Sequence, residues 1–250
     1  MIESLSIIHP SAFGQSAGIT AGLSTRNGGP DGSPFGMNLS FSVGDNADHV
    51  TQNRARFFGA LGIGMDELAF MQQVHGSTVT RVDAPGVYPA FDGMITDQSR
   101  LFLCVTVADC VPVFLLDRAV HALAVVHAGW RGTAARIVCT AIEALGVAYG
   151  ALPSRMEAFI GPAAGVCCYE VGTGVAGAFD PALVTVCNGR PFVDLKAANR
   201  AQLTGSGVPE NTIEIHPGCT IHEKSLFHSY RRDGSLSGRM IGVAGFSSRS

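Results

Sequence analysis

The spacing of apolar and polar positions predicts a chain of short buried strands interrupted by helices. Runs rich in β-branched and aromatic residues, bounded by glycine, proline or polar residues, are typical of strands. These runs cover residues 19–25, 68–74, 79–82, 101–107, 122–126, 157–160, 183–187 and 212–215. The run at 212–215 is the last strand that the pattern predicts.

Three segments are instead predicted to be helices, and the first two repeat their apolar residues with the helical period of 3.6. The first is predicted to begin with Asp48 as its N-cap and to end at Gly62. Its apolar face consists of Val50, Phe57, Phe58 and Leu61. The second carries a stripe at positions 137, 138, 141, 142 and 145 and is predicted to end at Gly146. The third covers residues 194–203.

Some predicted strands follow one another directly, and others are separated by a helix. This mixture favours an α+β fold, that is, a mixed-sheet α/β arrangement, over a strictly parallel sheet. No linker composition and no short repeat divides the chain. We therefore expect one compact domain over residues 1–250.

The composition excludes several classes of protein. Apolar residues make up 46% of the 250 residues and charged residues 15%, which indicates a large core. The net charge is only −3 without a basic run, so neither nucleic acid nor a membrane surface is an expected partner. Small molecules are the expected partners, and no obligate protein partner is inferred.

The cysteines and the N-terminus indicate a cytoplasmic protein. Seven cysteines, an odd number, favour free thiols in a reducing compartment over a disulfide framework. The N-terminus has no basic segment of the kind that begins a signal peptide. No apolar run is long enough to span a membrane.

Two histidines and one cysteine stand in distinctive local sequences: His75 in QVHG, Cys110 in VADCVPV and His127 in VVHAGWRG. Imidazole and thiolate are donors that zinc prefers, and three protein ligands leave one tetrahedral position open. Their separation in the chain is too long for a zinc finger, so they must meet through the fold. The alternative is that each is simply packed in the core.

The segment after His127 contains two glycines, Trp130 and Arg131 ahead of the second predicted helix. Free amide groups at a helix start, together with a guanidinium group, are suited to bind a phosphate. A tight turn with Arg131 in solvent and Trp130 packed explains the same pattern equally well.

Ten short stretches together are highly specific. They are STRNGG at 24–29, NLS at 38–40, VGD at 43–45, NR at 53–54, QVHG at 73–76, ADC at 108–110, HAGWRG at 127–132, GP at 161–162, CYEVG at 168–172 and SYRRD at 229–233. On these stretches the chain resembles the YfiH-like family of bacterial proteins, over nearly its whole length. The family was formerly called multicopper polyphenol oxidases or laccase-domain proteins, and its members are now described as purine nucleoside phosphorylases. Ala164 and the segment 234–237 depart from the family pattern, away from the three ligands.

The resemblance implies a zinc ion on His75, Cys110 and His127, in a fold related to that of cysteine-dependent toxin deamidases. It implies phosphorolysis of adenosine, inosine, guanosine or methylthioadenosine, and deamination of adenosine. It also implies an alternative, because some members are described as editing peptidoglycan precursors. In that alternative, a Cys110 nucleophile activated by a neighbouring histidine attacks an amide.

Further site residues are expected from the motif match. Asn38, Arg54, Arg131 and Arg231 are the candidates for polar contacts with substrate. Asp109 is a candidate for proton transfer beside Cys110, the other catalytic candidate. Asp109 could equally cap a turn or orient a ligand, Arg54 could be an exposed helix residue, and Arg231 a charge on a surface loop.

The histidine content of the chain indicates which metal is expected. A multicopper oxidase needs many histidines for its additional copper ions, whereas this chain has eight histidines and no His-x-His pair. Zinc is therefore the expected ion, and copper is the less favoured one.

Overall fold

The computed structural model describes residues 4–11, 13, 18–30 and 33–247. Within these ranges the chain forms fourteen strands. They are β1 Ile7–Ile8, β2 Ile19–Ser24, β3 Leu68–Gln72, β4 Val79–Arg81, β5 Gly86–Pro89, β6 Gly93–Thr96, β7 Phe102–Val107, β8 Val111–Asp117, β9 Ala122–Ala128, β10 Glu157–Ile160, β11 Val184–Cys187, β12 Arg190–Val193, β13 Ile213–Ile215 and β14 Met240–Phe246.

Six α-helices are found in the same ranges. They are α1 Ala47–Ala60, α2 Trp130–Ala134, α3 Ile137–Tyr149, α4 Thr173–Ala176, α5 Leu195–Gly205 and α6 Tyr230–Asp233. None of them combines the length and the apolar character that crossing a membrane requires.

Two six-stranded sheets contain most of the strands. The first has the order β1-β2-β14-β7-β3-β5 and the second the order β13-β10-β8-β9-β6-β4. Both sheets are mixed: β3 runs parallel to β7 while β7 runs antiparallel to β14, and β4 runs parallel to β6 while β6 runs antiparallel to β9. The predicted mixed-sheet fold class is confirmed.

Alternate residues of the central strands divide between separate apolar clusters, as the two-residue period of a strand requires. Leu103 and Val105 of β7 share a cluster with Phe114 of β8 and Val125 of β9, so the two sheets pack face to face. On the outer face of the first sheet, Cys104 packs with α1. The outer face of the second sheet is covered by α3 and α5. The result is a four-layer arrangement of helix, sheet, sheet and helices.

The predicted elements are present, and their ends shift by one or two residues. Three predictions are wrong. Asn46 caps α1 instead of Asp48, because the Asn46 side chain accepts the N–H of Asp48. The helix α3 continues past Gly146 to Tyr149, because Gly150 is the residue that adopts the left-handed conformation, with φ +69°.

The third wrong prediction made 212–215 the last strand, whereas β14 follows it at the centre of the first sheet. Glycines in β14 weaken its strand pattern. Gly245 is required there because a Cβ atom would lie 2.5 Å from the Phe102 ring and 2.6 Å from the Leu101 carbonyl oxygen. The central strand β8 was also not predicted, and it contains Pro112, which cannot donate a ladder hydrogen bond.

Candidate metal centre and adjoining pocket

The three expected ligands lie near the ends of strands. Two of them are in connections between the two large sheets, and the third is near the end of a strand of the second sheet. His75 lies between β3 of the first sheet and β4 of the second, and Cys110 lies between β7 and β8. His127 is the last residue but one of β9, on the side that faces the first sheet. Two sheet crossovers therefore bring distant parts of the chain to one point.

The donor atoms of the three side chains all lie within 4.8 Å of one another. The His75 and His127 rings are nearly perpendicular, with centroids 4.9 Å apart. His127 is buried, Cys110 is partly buried and His75 is exposed. The structure thus brings the expected ligands together as a group that could hold a metal ion, with one side open to solvent.

Asp92, just before β6, organises this group and was not found from the sequence. Its fully buried carboxylate contacts the Nδ1 atom of His127 at 2.7 Å. The same carboxylate accepts the backbone N–H groups of Val74, His75 and Gly76 at 2.7–3.2 Å. Asp92 therefore holds the His75 turn, with its left-handed φ of 59°, and orients the His127 ring. The only local signal is an acidic residue before a glycine, which is common in turns.

The charges of the site favour a thiolate beside an imidazolium group when no ion is bound. Burial alone would raise the pKa of Cys110, but the charge and hydrogen bond of His127, aided by His75, lower it to about 6. Burial would lower the pKa of His127, but Cys110 and Asp92 raise it to about 9. Burial would also raise the pKa of Asp92, and its bonds from His127 and Gly76 hold it below its usual range.

Gly129 follows β9, and because it has no side chain, the donor group can pack closely against its backbone. A Cβ atom at Gly129 would lie 3.1 Å from Sγ of Cys110 and 3.4 Å from Cδ2 of His75. Any larger residue would push into the ligands. The glycine of the HAGWRG stretch is therefore explained by close approach to the site.

Asp109 precedes Cys110 with a left-handed φ of 89° and is buried. One carboxylate oxygen accepts the Thr220 hydroxyl at 2.7 Å, and the other accepts the backbone N–H of Arg231 at 2.6 Å. Both oxygens are thus engaged by protein groups. These contacts fix the Cys110 segment to the segments around residues 220 and 231.

A cavity of about 550 Å³ adjoins the site. Its wall is formed by residues 168–172 together with Trp130, Val175 and Arg231. Trp130 follows Gly129, and the charges of Cys110 and Asp109 act on the Tyr169 phenol, whose pKa is raised mainly by burial. The cavity is therefore lined by Trp130, next to Gly129, and by Arg231, whose backbone N–H donates to Asp109 beside Cys110.

Of the expected substrate-binding arginines, Arg231 lines this cavity, and Arg131 contacts the ring of Trp130, which also lines it. The Arg231 guanidinium lies over the Tyr169 ring at 5.1 Å and donates to the Glu170 carbonyl. Arg131 is exposed and lies over the Trp130 ring at 4.3 Å. Arg131 belongs to the short helix α2, and Ala135 and Arg136 separate α2 from α3. The prediction that α3 is the first helix after Arg131 is thus wrong, because α2 intervenes. Phosphate binding by Arg131 stays a prediction.

The other two expected residues have structural contacts. Asn38 is fully buried. Its amide nitrogen donates to the Ser40 carbonyl and the Asp45 carboxylate, and its amide oxygen accepts the backbone N–H groups of Ser40 and Arg239. Arg54 donates to the Leu39 carbonyl. Its guanidinium also lies between the Phe41 and Phe70 rings, which packs α1 on the first sheet. The substrate contacts expected of Asn38 and Arg54 stay predictions.

Comparison with known proteins agrees with this architecture. The crystal structure of YlmD from Geobacillus stearothermophilus matches with a TM-score of 0.89 at 32% identity, covering 96% of this chain and 94% of that chain. The relative named purine nucleoside phosphorylase YlmD, from the same organism, is 34% identical over 92% of this chain and 90% of its own length. Adenosine deaminase RL5, from an unknown prokaryotic organism, is 34% identical over 91% of this chain and 94% of its own length.

Several further relatives carry the name purine nucleoside phosphorylase. The family model described as multi-copper polyphenol oxidoreductase laccase matches residues 20–247. The match includes the whole second sheet, all strands of the first sheet except β1 and the first residue of β2, and all three donor residues. The chain belongs to this laccase-domain, or YfiH-like, family of enzymes.

Proposed function

We propose that the protein is a zinc-dependent purine nucleoside phosphorylase with adenosine deamination as a second activity. The observation that carries the proposal is the position of the donor group His75, Cys110 and His127 beside a cavity with aromatic and guanidinium side chains. The names of the similar proteins supply the substrate class.

The residues present fit a zinc ion. Two imidazoles and one thiolate form a donor set that zinc accepts, and three ligands leave a position for substrate or water. The contact of His127 Nδ1 with Asp92 leaves its Nε2 atom for the ion, as in carboxylate–histidine–metal groups. When bound, zinc supplies a Lewis acid that polarises an oxygen atom. Imidazole and thiolate ligands also suit copper, which is the second candidate for the bound ion.

The cavity offers groups for both substrates of phosphorolysis. Its volume, about 550 Å³, is within the range of small-molecule sites. The rings of Trp130 and Tyr169 provide planar surfaces for a purine. The Arg131 and Arg231 guanidinium groups provide charge-assisted hydrogen bonds for phosphate. In the reaction, phosphate forms a bond to C1′ of the ribose and loses a proton, the bond from C1′ to the purine nitrogen breaks, and the purine nitrogen takes up that proton as the purine leaves.

Asp109 is proposed to contribute mainly by holding neighbouring residues of the site in place. Its oxygens already accept hydrogen bonds from Thr220 and Arg231, so it holds Cys110 and Arg231 at fixed places around the cavity. Positioning of reacting groups is itself a large part of catalysis. Proton transfer by Asp109 stays the alternative role.

The proposed function is tested by identifying products. Purified protein with measured zinc content is incubated with adenosine, with and without phosphate, and the products are separated by chromatography. We expect adenine and ribose 1-phosphate only when phosphate is present, and inosine as the product of deamination. Protein stripped of metal by a chelator should lose both activities and regain them with zinc. If zinc-loaded protein yields neither product, the nucleoside assignment is wrong.

Replacement of Arg131 by alanine tests the phosphate site. We expect the KM for phosphate to rise about tenfold, equivalent to losing about 1.4 kcal/mol from one charge-assisted hydrogen bond. The KM for adenosine should change much less. The matched control is Arg200→Ala, which removes an exposed arginine from α5. Equal increases in both KM values would contradict a phosphate role for Arg131.

One observation favours a second candidate function. Cys110 lies against two imidazoles with its pKa lowered to about 6, which is the setting of a cysteine nucleophile. In that function Cys110 attacks an amide carbonyl and forms an acyl-enzyme, as in the editing of peptidoglycan precursors. A thiolate bound to zinc is less available for attack. Metal-free protein that accumulates an acyl group on Cys110 would support this alternative.

A further inference from the structure

A second group of soft ligands lies outside the site described above. The Sγ atoms of Cys167, Cys168 and Cys219 all lie within 4.8 Å of one another, although residue 219 is remote in the chain from the other two. Cys167 is exposed, Cys168 is partly buried and Cys219 is buried. All three are free thiols in the structure.

The backbone holds these three residues in place. The N–H of Gly165 donates to Sγ of Cys219 at 3.2 Å, and its carbonyl accepts the N–H groups of Cys168 and Tyr169 at 2.9 Å. The backbone of Cys219 forms a bridge with Ala163 and donates its own N–H to the Glu223 carboxylate. The geometry of the three sulfur atoms is therefore set by the fold.

The surroundings of Cys219 favour the thiolate form. Burial alone would raise its pKa, but the N–H groups of His222 and Gly165, with further donors, lower it below its usual range. Lys196 adds a fixed positive charge next to the group, since its ammonium donates to the carbonyls of residues 216, 217 and 218, just before Cys219. Burial lowers the pKa of Lys196, and the charges of Asp194, Cys219 and Cys167 oppose that shift.

We propose that Cys167, Cys168 and Cys219 form a second metal site, which binds a thiophilic divalent ion such as zinc independently of the His75, Cys110 and His127 group. Two sulfur atoms that are each 2.3 Å from one tetrahedral ion are about 3.8 Å apart. The separation of 3.5 Å between Cys167 and Cys168 is close to that distance. Thiolates select zinc over the harder ions that prefer oxygen ligands. Binding releases the remaining thiol protons to solvent and leaves the fourth position to water on the exposed side.

This site joins two segments around the cavity. Cys168 contributes to the cavity wall, whereas Cys219 precedes Thr220, which holds Asp109. An ion on the three sulfurs would tie residues 167–169 to residue 219 and so stiffen the wall against the segment that positions Asp109. The inference concerns metal binding alone and does not depend on the nucleoside reaction.

The test measures bound zinc per chain. Reduced, chelator-treated full-length protein is equilibrated with excess zinc, freed of weakly bound ion and analysed for metal. We expect two equivalents for the wild type and for Cys187→Ser, a control that removes an exposed cysteine elsewhere. The double variant Cys167→Ser with Cys168→Ser should bind one equivalent. Because its cysteines are not deeply buried, it avoids the folding risk of Cys219→Ser.

The same measurement in a Cys110→Ala background separates the two sites. There we expect one equivalent, which the additional changes at 167 and 168 should abolish. Replacing zinc with cobalt should give a thiolate-to-metal absorption that falls in the 167 and 168 variant. If the Cys110→Ala protein still binds its equivalent of zinc after Cys167 and Cys168 have been replaced, the proposal is overturned. The absence of any equivalent in the Cys110→Ala protein would also overturn it, as would a disulfide among the three cysteines that persists under the reducing conditions of the test.

Discussion

Changing Cys110 to alanine is expected to remove the catalytic metal and to lower phosphorolysis by about 10³-fold or more, which corresponds to about 4 kcal/mol of transition-state stabilisation. Cys110 is the thiolate of the donor group and is partly buried between the two histidines. Two imidazoles alone retain neither the charge nor the number of ligands of a zinc site. The measurements are kcat/KM for adenosine at saturating phosphate and the zinc content of the purified variant.

Two comparisons decide what the loss means. Cys139→Ser serves as a matched control, because Cys139 is a buried cysteine on α3, away from the donor group. It should keep its metal and most of its activity. A Cys110→Ala protein that keeps full phosphorolysis would exclude the proposed metal centre. A variant that still binds as many equivalents of zinc as the wild type but loses all activity would instead favour the nucleophile role of Cys110.

Replacing Asp92 by asparagine is expected to lower zinc affinity and kcat/KM by about 10- to 100-fold. One oxygen of Asp92 accepts from His127 and from the backbone of His75, and the other accepts from the backbone of Val74 and Gly76. Whichever oxygen becomes the amide NH₂, a new donor faces existing N–H donors in a fully buried place. The His75 turn and the His127 ring should both shift.

Zinc affinity is measured by competition with a chelator, and folding by thermal unfolding of the metal-free protein. Asp97→Asn is the control, since Asp97 lies just after the same strand, β6, and is partly exposed. We expect the Asp92→Asn protein to remain folded and to recover part of its activity at high zinc concentration. Unchanged zinc affinity would show that Asp92 does not orient the ligands.

Local patterns were sufficient for much of the fold. The helix α1 follows from its apolar period because it buries one face against the first sheet. The strand β10 follows from its short apolar run because both of its faces are buried, Phe159 on one side and Ala158 and Ile160 on the other. Asn46 and Asp48 show the limit of that reading. Both can cap a helix, and only the backbone geometry selects Asn46. The strands β8 and β14 were not predicted because Pro112 and Gly245 weaken the strand pattern of their sequences. What makes them central is pairing with a neighbouring strand on each side, which the local sequence does not show.

The candidate site divides in the same way. His75, Cys110 and His127 stand out in the sequence because donor chemistry is a property of the side chain itself. Their meeting within 4.8 Å is a product of two crossovers between sheets. The grouping of Cys167 and Cys168 with Cys219 likewise cannot be predicted from their positions in the chain, nor can the packing of the Arg54 guanidinium against the Phe70 ring.

By itself, the sequence determined which side chains can coordinate a metal, the mixed-sheet class and the family to which the chain belongs. Only the tertiary structure decided that Asp92 orients His127 and supports the His75 turn, and that Asp109 has both oxygens engaged. The reason is physical. Chemical identity and periodicity are local properties of the chain, whereas a buried carboxylate takes its role from donors that other strands bring to it.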